Sequence, residues 1–269
     1  TLEEFFRDRP RAALAFSGGT DSAFLFWAAK EYGCDVHAYY IKTAFQPEFE
    51  LRDARRLAEQ LGLPMTVVDL DVLAVPGAAA NGAERCYYCK QALFTALWKR
   101  ARADGYTVLL DGTNASDDAG DRPGMRALRE LEVRSPLREC GLTKAQVRQL
   151  SRDAGLFTWD KPAYACLATR VPTGTPITQE ALQKVERAED AMMRLGFSDF
   201  RVRLTKDGSA RLQLTADQIA DAVQRRSEIL SALGEDFPAV LLDLQPGRLS
   251  LFFQQPVQNF MFLRRLTNG

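Results

Sequence analysis

One short stretch, Ser17-Gly18-Gly19-Thr20-Asp21-Ser22, constrains the fold more than any other part of the chain. It follows an apolar run, Arg11–Phe16, and leads into Ser22–Lys30, where Phe24, Leu25, Ala28 and Ala29 recur at helical spacing. A strand, a glycine-rich turn and a helix in that order set backbone N–H groups at the positive end of a helix, where they can approach phosphate oxygens. The glycines leave room for that approach, and the hydroxyls that follow add donors. The lysine of G-x-x-x-x-G-K-[ST] is missing here, and the pattern occurs nowhere in the chain, so transfer of a γ-phosphate is disfavoured. A non-catalytic nucleotide-binding module of similar architecture would not need Asp21.

The same alternation continues. Val36–Ile41 reads as a strand, Pro47–Leu61 as a helix closed by Gly62, and Met65–Leu70 as a strand. Cys89–Ala103 then reads as a helix and Thr107–Leu110 as a strand leading into Asp111-Gly112-Thr113-Asn114. The expected fold class is therefore α/β: a Rossmann-like domain whose parallel sheet carries crossover helices and binds ligands at the carboxyl ends of its strands. Gly112 and Thr113 would lie at that edge. Pro123–Leu131 and Thr143–Ala154 read as further helices. After Gly174 the texture changes to a long helix at Thr178–Leu195, a hairpin of Phe200–Leu204 with Ala210–Leu214 around Asp207-Gly208, a helix at Ala216–Leu233 and a strand at Val240–Leu244. The pattern predicts a nucleotide-binding domain over residues 1–172 and a small α+β domain, β-α-β-β-α-β in style, over 173–269, joined near Val171–Pro176.

Charge narrows the range of partners. Lys+Arg and Asp+Glu are both 35, so the formal net charge is zero, unlike the basic footprint of a dedicated nucleic-acid binder. Apolar runs such as Ala12–Phe16 and Val240–Leu242 are too short to span a bilayer, and Thr1-Leu2-Glu3-Glu4 lacks a signal peptide's basic start, so a cytoplasmic protein is expected. A single histidine, His37, excludes catalytic or metal sites built from several imidazoles.

Ser17 to Ser22 resembles the SGGxDS signature of the ATP-pyrophosphatase, or PP-loop, superfamily. The resemblance implies ATP cleaved between its α and β phosphates and AMP left on a substrate oxygen. Ser17, Gly18, Gly19, Thr20 and Ser22 would hold the nucleotide, and Asp21 would hold Mg²⁺ against the leaving pyrophosphate.

The five cysteines, an odd number, fit reduced thiols better than a disulfide framework. Cys86 and Cys89 form a C-x-x-C, Cys166 is a distant third, and Cys34 and Cys140 have no motif around them. Structural zinc normally closes a four-ligand site, whereas three cysteines can hold a [4Fe–4S] cluster with one iron open. C-x-x-C by itself is also a redox or zinc pattern. Several blocks add to the PP-loop: Arg85–Lys90, Asp111–Asn114, Asp121-Arg122-Pro123-Gly124, Arg134-Ser135-Pro136-Leu137, Gly141-Leu142-Thr143-Lys144, Trp159–Arg170 and Gly174-Thr175. Together they resemble the LarE-type ATP-dependent sulfur transferases that mature the nickel-pincer cofactor of lactate racemase.

That resemblance implies adenylation of the carboxylates of pyridinium-3,5-biscarboxylic acid mononucleotide and their conversion to thiocarboxylates. An acyl-adenylate is a good electrophile and a thiolate a strong nucleophile, so the chemistry is coherent. In some members one cysteine is sacrificed, at a position where this chain has Ala165. With Cys86, Cys89 and Cys166 all present, the chain resembles the subgroup in which three cysteines bind a [4Fe–4S] cluster. The alternatives are a sacrificed Cys166 with an incidental thiol pair, and a PP-loop tRNA thiolase. The family also implies a homo-oligomer, a hexamer.

On the substrate side, Arg201 and Arg203 alternate along a strand and so face one way, as needed to grip a phosphate. Two solvated arginines would read the same, and the resemblance favours the phosphate. Glu189 and Asp221 are expected on the flanking helices, where they would share a divalent cation. Lys90, Arg170 and Glu186 are further candidates for substrate contacts, and Trp159, Tyr87 and Tyr88 for stacking on a pyridinium ring. Asp243-Leu244-Gln245-Pro246-Gly247-Arg248 matches the family poorly, and Phe252, Phe253, Phe260 and Phe262 are candidates for an oligomer contact.

Overall fold

The computed structural model describes residues 1–117 and 123–245. Asp121, Arg122 and everything from Pro246 on, including the four C-terminal phenylalanines, lie outside the described residues.

Helix α1 (Leu2–Arg7) precedes strand β1 (Arg11–Ala15), helix α2 (Thr20–Glu31), β2 (Asp35–Lys42), α3 (Glu48–Leu61) and β3 (Met65–Asp69). A short 3-10 turn and α4 (Pro76–Ala79) lead to α5 (Arg85–Ala103) and β4 (Leu109–Leu110). The four strands pair in parallel, as the alternation predicts, and their order is β3-β2-β1-β4. Ala12, Ala13 and Leu14 of β1 are wholly buried because helices cover both faces of the sheet. Alternate residues sort to opposite sides, as the period of a strand requires. Leu14, Val36, Ala38 and Tyr40 pack with the apolar sides of α2 and α3, while Ala13, Tyr39, Ile41 and Leu109 pack with Leu97, Trp98 and Ala101 of α5. His37 sits in β2, bonded to Thr66 Oγ1 at 2.8 Å and stacked on Tyr39, a structural residue whose burial lowers its basicity.

Four differences from the sequence reading have local causes. α1 was not foreseen; a capping box, with the Thr1 hydroxyl accepting from Glu4 N and the Glu4 side chain reaching back, starts it. α5 begins at Arg85, not Cys89, so Cys86 and Cys89 share its first turn and, three apart, one face. The expected helix at Ala216–Leu233 is two, α10 (Ala216–Gln224) and α11 (Arg226–Leu233). Arg225 breaks it at φ −94°, ψ 21°, its guanidinium donating to Leu195 O at 2.8 Å and pairing with Glu228. The joint at Val171–Pro176 is no free linker. Buried Asn81, at φ 56°, donates to Pro172 O and Thr175 O at 2.9 and 3.0 Å, and Ile177 N donates to Ala79 O.

Between β4 and that joint come α6 (Pro123–Glu130), α7 (Pro136–Glu139) and α8 (Lys144–Asp153), the last opened by a capping box of Thr143 and Gln146. Beyond the joint, α9 (Gln179–Arg194), β5 (Arg201–Leu204), β6 (Ala210–Gln213), α10, α11 and β7 (Val240–Leu242) form a second unit with its own apolar core. β5 and β6 are the expected antiparallel hairpin and β7 adds in parallel to β6; the strand expected ahead of α9 is not among the described elements. A third apolar cluster, Phe45, Val72, Leu167, Val171, Ile177, Leu182 and Val185, packs α9 against the first unit.

Candidate active site

The turn after β1 is shaped by backbone space. Gly18 has φ +70°, and a Cβ there would stand 3.1 Å from Ala54 Cβ. Gly112, at the carboxyl end of β4, leaves only 2.8 Å between its would-be Cβ and Ser22 N, so the second loop lies against the start of α2 because it carries no side chain. The Ser17 and Ser22 hydroxyls are 3.0 Å apart, and Ser22 Oγ also accepts from Ser17 N. A cleft of about 380 Å³ opens here, lined on one side by Ser17, Gly19, Asp21, Ser22 and Gly112 and on the other by Tyr40, Ile41, Leu93, Phe94 and Lys90.

Thr20 and Thr113 do not offer their hydroxyls to this cleft. Thr20 Oγ1 donates to Thr158 O at 2.8 Å, a buried peg between the turn and the segment leading to Cys166. Thr113 Oγ1 donates to Asp111 Oδ2, whose other oxygen accepts from Ser135.

Asp21 is the unusual group. Its Oδ2 accepts from Lys144 Nζ at 2.6 Å, while its Oδ1 is buried with no hydrogen-bond partner. Burial pushes the carboxyl above its ordinary value, and the Lys144 ammonium pulls it back. Lys161 reaches the turn as well, pairing with Asp53 at 2.6 Å and donating to Gly18 O at 3.4 Å. Neither lysine was given a role from sequence. Each lies far from the turn in the chain, inside blocks recognised for other reasons, and only the fold brings them to it.

Cys86, Cys89 and Cys166 come within electrostatic reach of one another. Burial, then the neighbouring Cys166 and Cys86, push the Cys89 thiol up to about 12. Burial also raises Cys166, against the pull of Arg85 and Arg170. Cys86 is exposed, whereas Cys89 and Cys166 are half-buried against one apolar cluster. Among the described residues no three His, Cys, Asp or Glu side chains converge to hold a single metal ion. Cys34 is buried and Cys140 half-buried, with no neighbouring thiol naming a role for either.

The third group is built on Glu189. This carboxylate, 2% exposed, takes both Arg170 Nε and Nη2 at 2.7 and 3.0 Å, the Tyr164 hydroxyl and Val202 N at 2.9 Å. Arg170 also holds Ala165 O at 2.9 Å. From β5, Arg201 donates to Ala163 O and Arg203 to Thr169 O, so both arginines face the Cys166 segment, as their alternation predicted. Burial and the Arg170 charge press both below the ordinary arginine value.

The cation site expected at Glu189 and Asp221 is not formed. Glu189 is saturated by its four donors, while Asp221 is exposed and paired with Arg225 at 3.4 Å. Arg170 is 1% exposed and engaged with Glu189, so it supports the site from behind. Glu186 accepts from Glu48 N, tying α9 to α3. Tyr87 bonds to Glu130 beneath Arg126, Trp159 lies beneath Arg152, and Tyr88 lies over Gly77, so none of the three aromatics faces the cleft.

A parallel sheet with an SGGxDS turn at the carboxyl end of an interior strand defines the PP-loop class of α/β proteins. Residues 11–85 match the family described as queuosine biosynthesis protein QueC. The chain is 34% identical over 258 residues to pyridinium-3,5-bisthiocarboxylic acid mononucleotide synthase of Lactiplantibacillus plantarum, covering 93% of this chain and 92% of that one. An uncharacterized protein of Synechocystis, slr1717, is 40% identical over 93% of this chain and 95% of its own. Another from Methanocaldococcus jannaschii, MJ0830, is 29% identical over 91% and 93%. The chain belongs to the LarE family, that of pyridinium-3,5-bisthiocarboxylic acid mononucleotide synthase.

Proposed function

We propose that the chain is an ATP-dependent, AMP- and pyrophosphate-forming sulfur transferase. It would adenylate the carboxylates of pyridinium-3,5-biscarboxylic acid mononucleotide and convert them to thiocarboxylates. The observation that carries the reading is the placement of α5: its first turn bears Cys86 and Cys89, and its next turns bear Lys90, Leu93, Phe94 and Leu97, which wall the nucleotide cleft. Activation and sulfur delivery thus share one helix.

In the activation step a substrate carboxylate oxygen bonds to the α-phosphorus of ATP, and the α–β bridging bond breaks as pyrophosphate leaves. The unpartnered buried oxygen of Asp21 suits Mg²⁺, which neutralises charge on the leaving group. The backbone of Ser17–Gly19 cradles phosphate, and Lys90 faces the cleft from the cysteine side. Arg201 and Arg203, their charges opposed by Arg170, are suited to an anion such as the substrate's phosphate. Glu189 and Arg170 would hold the Cys166 segment beneath them.

The three thiols fit a [4Fe–4S] cluster better than a single ion, because each cysteine of a cluster binds its own iron and the sulfurs stand apart. Cys86, Cys89 and Cys166 would hold it, and bound there it supplies iron-borne sulfide. The convergence of three thiols, where a sacrificed sulfur needs one, favours this over a sacrificed thiol. The unit after residue 172 would serve substrate binding and assembly, a homo-oligomer of hexameric size.

Anaerobic reconstitution with iron and sulfide is the test. About four irons per chain with visible absorption, both lost in Cys86→Ala, are expected. A colourless, iron-free parent protein returns Cys166 to the role of a consumed thiol. A salt-dependent shift with tRNA would move the substrate to nucleic acid instead.

A further inference from the structure

We propose that Lys144 is a phosphate-contacting residue of the nucleotide site, supplying from α8 the ammonium that the turn after β1 lacks. The inference rests on reading that turn as a triphosphate cradle. Lys144 is the first residue of α8, and its backbone is fixed on both sides: the Thr143–Gln146 capping box starts the helix, and Lys144 N donates to Ser116 Oγ at 3.0 Å. The side chain is thereby aimed at the turn, with Nζ 2.6 Å from Asp21 Oδ2 and its side chain 19% exposed.

An ammonium has three donors, and a carboxylate has room for a second cation. Asp21, which lines the cleft, uses one oxygen for Lys144 and leaves the other buried and unpartnered. When a divalent cation takes the free oxygen, Lys144 retains two N–H groups for the phosphate oxygens that accompany the cation. As the carboxylate oxygen of the substrate bonds to the α-phosphorus and the bridging bond breaks, the electron pair departs with pyrophosphate, and Lys144 stands where that charge accumulates.

The two roles separate when metal is removed. Pyrophosphate and AMP binding are measured calorimetrically, in EDTA, on the full chain and on Lys144→Ala, Lys144→Arg, Asp21→Asn and the Lys144→Ala/Asp21→Asn double variant. The expected result is a loss of about tenfold or more in pyrophosphate affinity for Lys144→Ala, the loss of one charge-assisted hydrogen bond. AMP affinity should stay within about twofold, the level at which one such bond is not involved, and Lys144→Arg should recover most of the pyrophosphate loss. Asp21→Asn should bind pyrophosphate at least as tightly as the parent, and the double variant as weakly as Lys144→Ala. The double variant removes both charges, so it also serves if Lys144→Ala alone does not fold. Parent-like pyrophosphate binding by the double variant would overturn the inference, because Lys144 would then act only through Asp21. Parent protein that binds neither ATP nor pyrophosphate, with or without Mg²⁺, would instead overturn the cradle reading on which it rests.

Discussion

The nucleotide turn and the Glu189 network each hold a carboxylate against a cation, yet they are built in opposite ways. The turn comes from consecutive residues, depends on side chains that are absent at Gly18 and Gly112, and leaves one carboxylate oxygen open on Asp21. The network gathers Tyr164, Arg170, Glu189 and Val202 from three segments and leaves Glu189 no open valence. Open geometry receives a ligand with little rearrangement. A saturated network instead holds a segment in place, and here the segment is the one bearing Cys166. The turn should therefore resist additions, and the network removals.

The largest effect is expected at the network. Glu189→Ala strips a buried carboxylate from Arg170 and leaves the guanidinium uncompensated, a loss of about 3–5 kcal/mol in urea unfolding. A loss below about 1 kcal/mol, the scale of an exposed pair, would break the comparison. At the turn, Gly112→Ala drives a methyl against the Ser22 backbone and should cost about 1–3 kcal/mol together with weaker ATP binding. Unchanged ATP affinity in that variant would mean that the second loop does not shape the cleft.

Glu50 lies between the two ends, drawn on by Lys161 from one and Arg170 from the other. Burial raises it to about 7 from 4.5. The folded chain thus keeps a proton that the unfolded chain releases, so the contribution of Glu50 to stability is fully present below pH 4.5 and is lost as pH rises toward 7. Glu50→Gln should remove that slope and stabilise the chain at pH 8 by up to about 3 kcal/mol, with no gain at pH 4; melting curves across this range decide it. The smallest effect is expected from Thr143→Ala, which removes the cap of α8 and should cost about 1 kcal/mol of stability. If Lys144 is aimed by that cap, the variant should also weaken pyrophosphate binding.

What could be read from the sequence followed the same division. SGGTDS, the parallel sheet with its crossover helices and the hairpin were legible because each rests on local periodicity or on glycines next to one another, whereas the strand order β3-β2-β1-β4 is set by contacts far apart in the chain. Arg201 and Arg203 were legible as a pair because strands have a period of two. The partners of Glu189 were not, since nothing local distinguishes a helix glutamate that binds a cation with Asp221 from one buried under Arg170. Lys144 and Lys161 were missed for a related reason: a lysine at the start of a helix, or in an irregular segment, reads as solvated until the fold places a carboxylate before it. The start of α5 was misplaced by one turn, and with it the shared face of Cys86 and Cys89.

The peg from Thr20 to Thr158 and the clamp from Glu189 to Arg170 fix both ends of the segment between them. A segment held at two points behaves as a ruler. Inserting or deleting a residue shifts every position along it, while exchanging one residue for another leaves the spacing intact. Ala165 and Cys166 are neighbouring marks on it, so exchanging the two side chains would move a thiol by one residue while leaving both fixed ends in place.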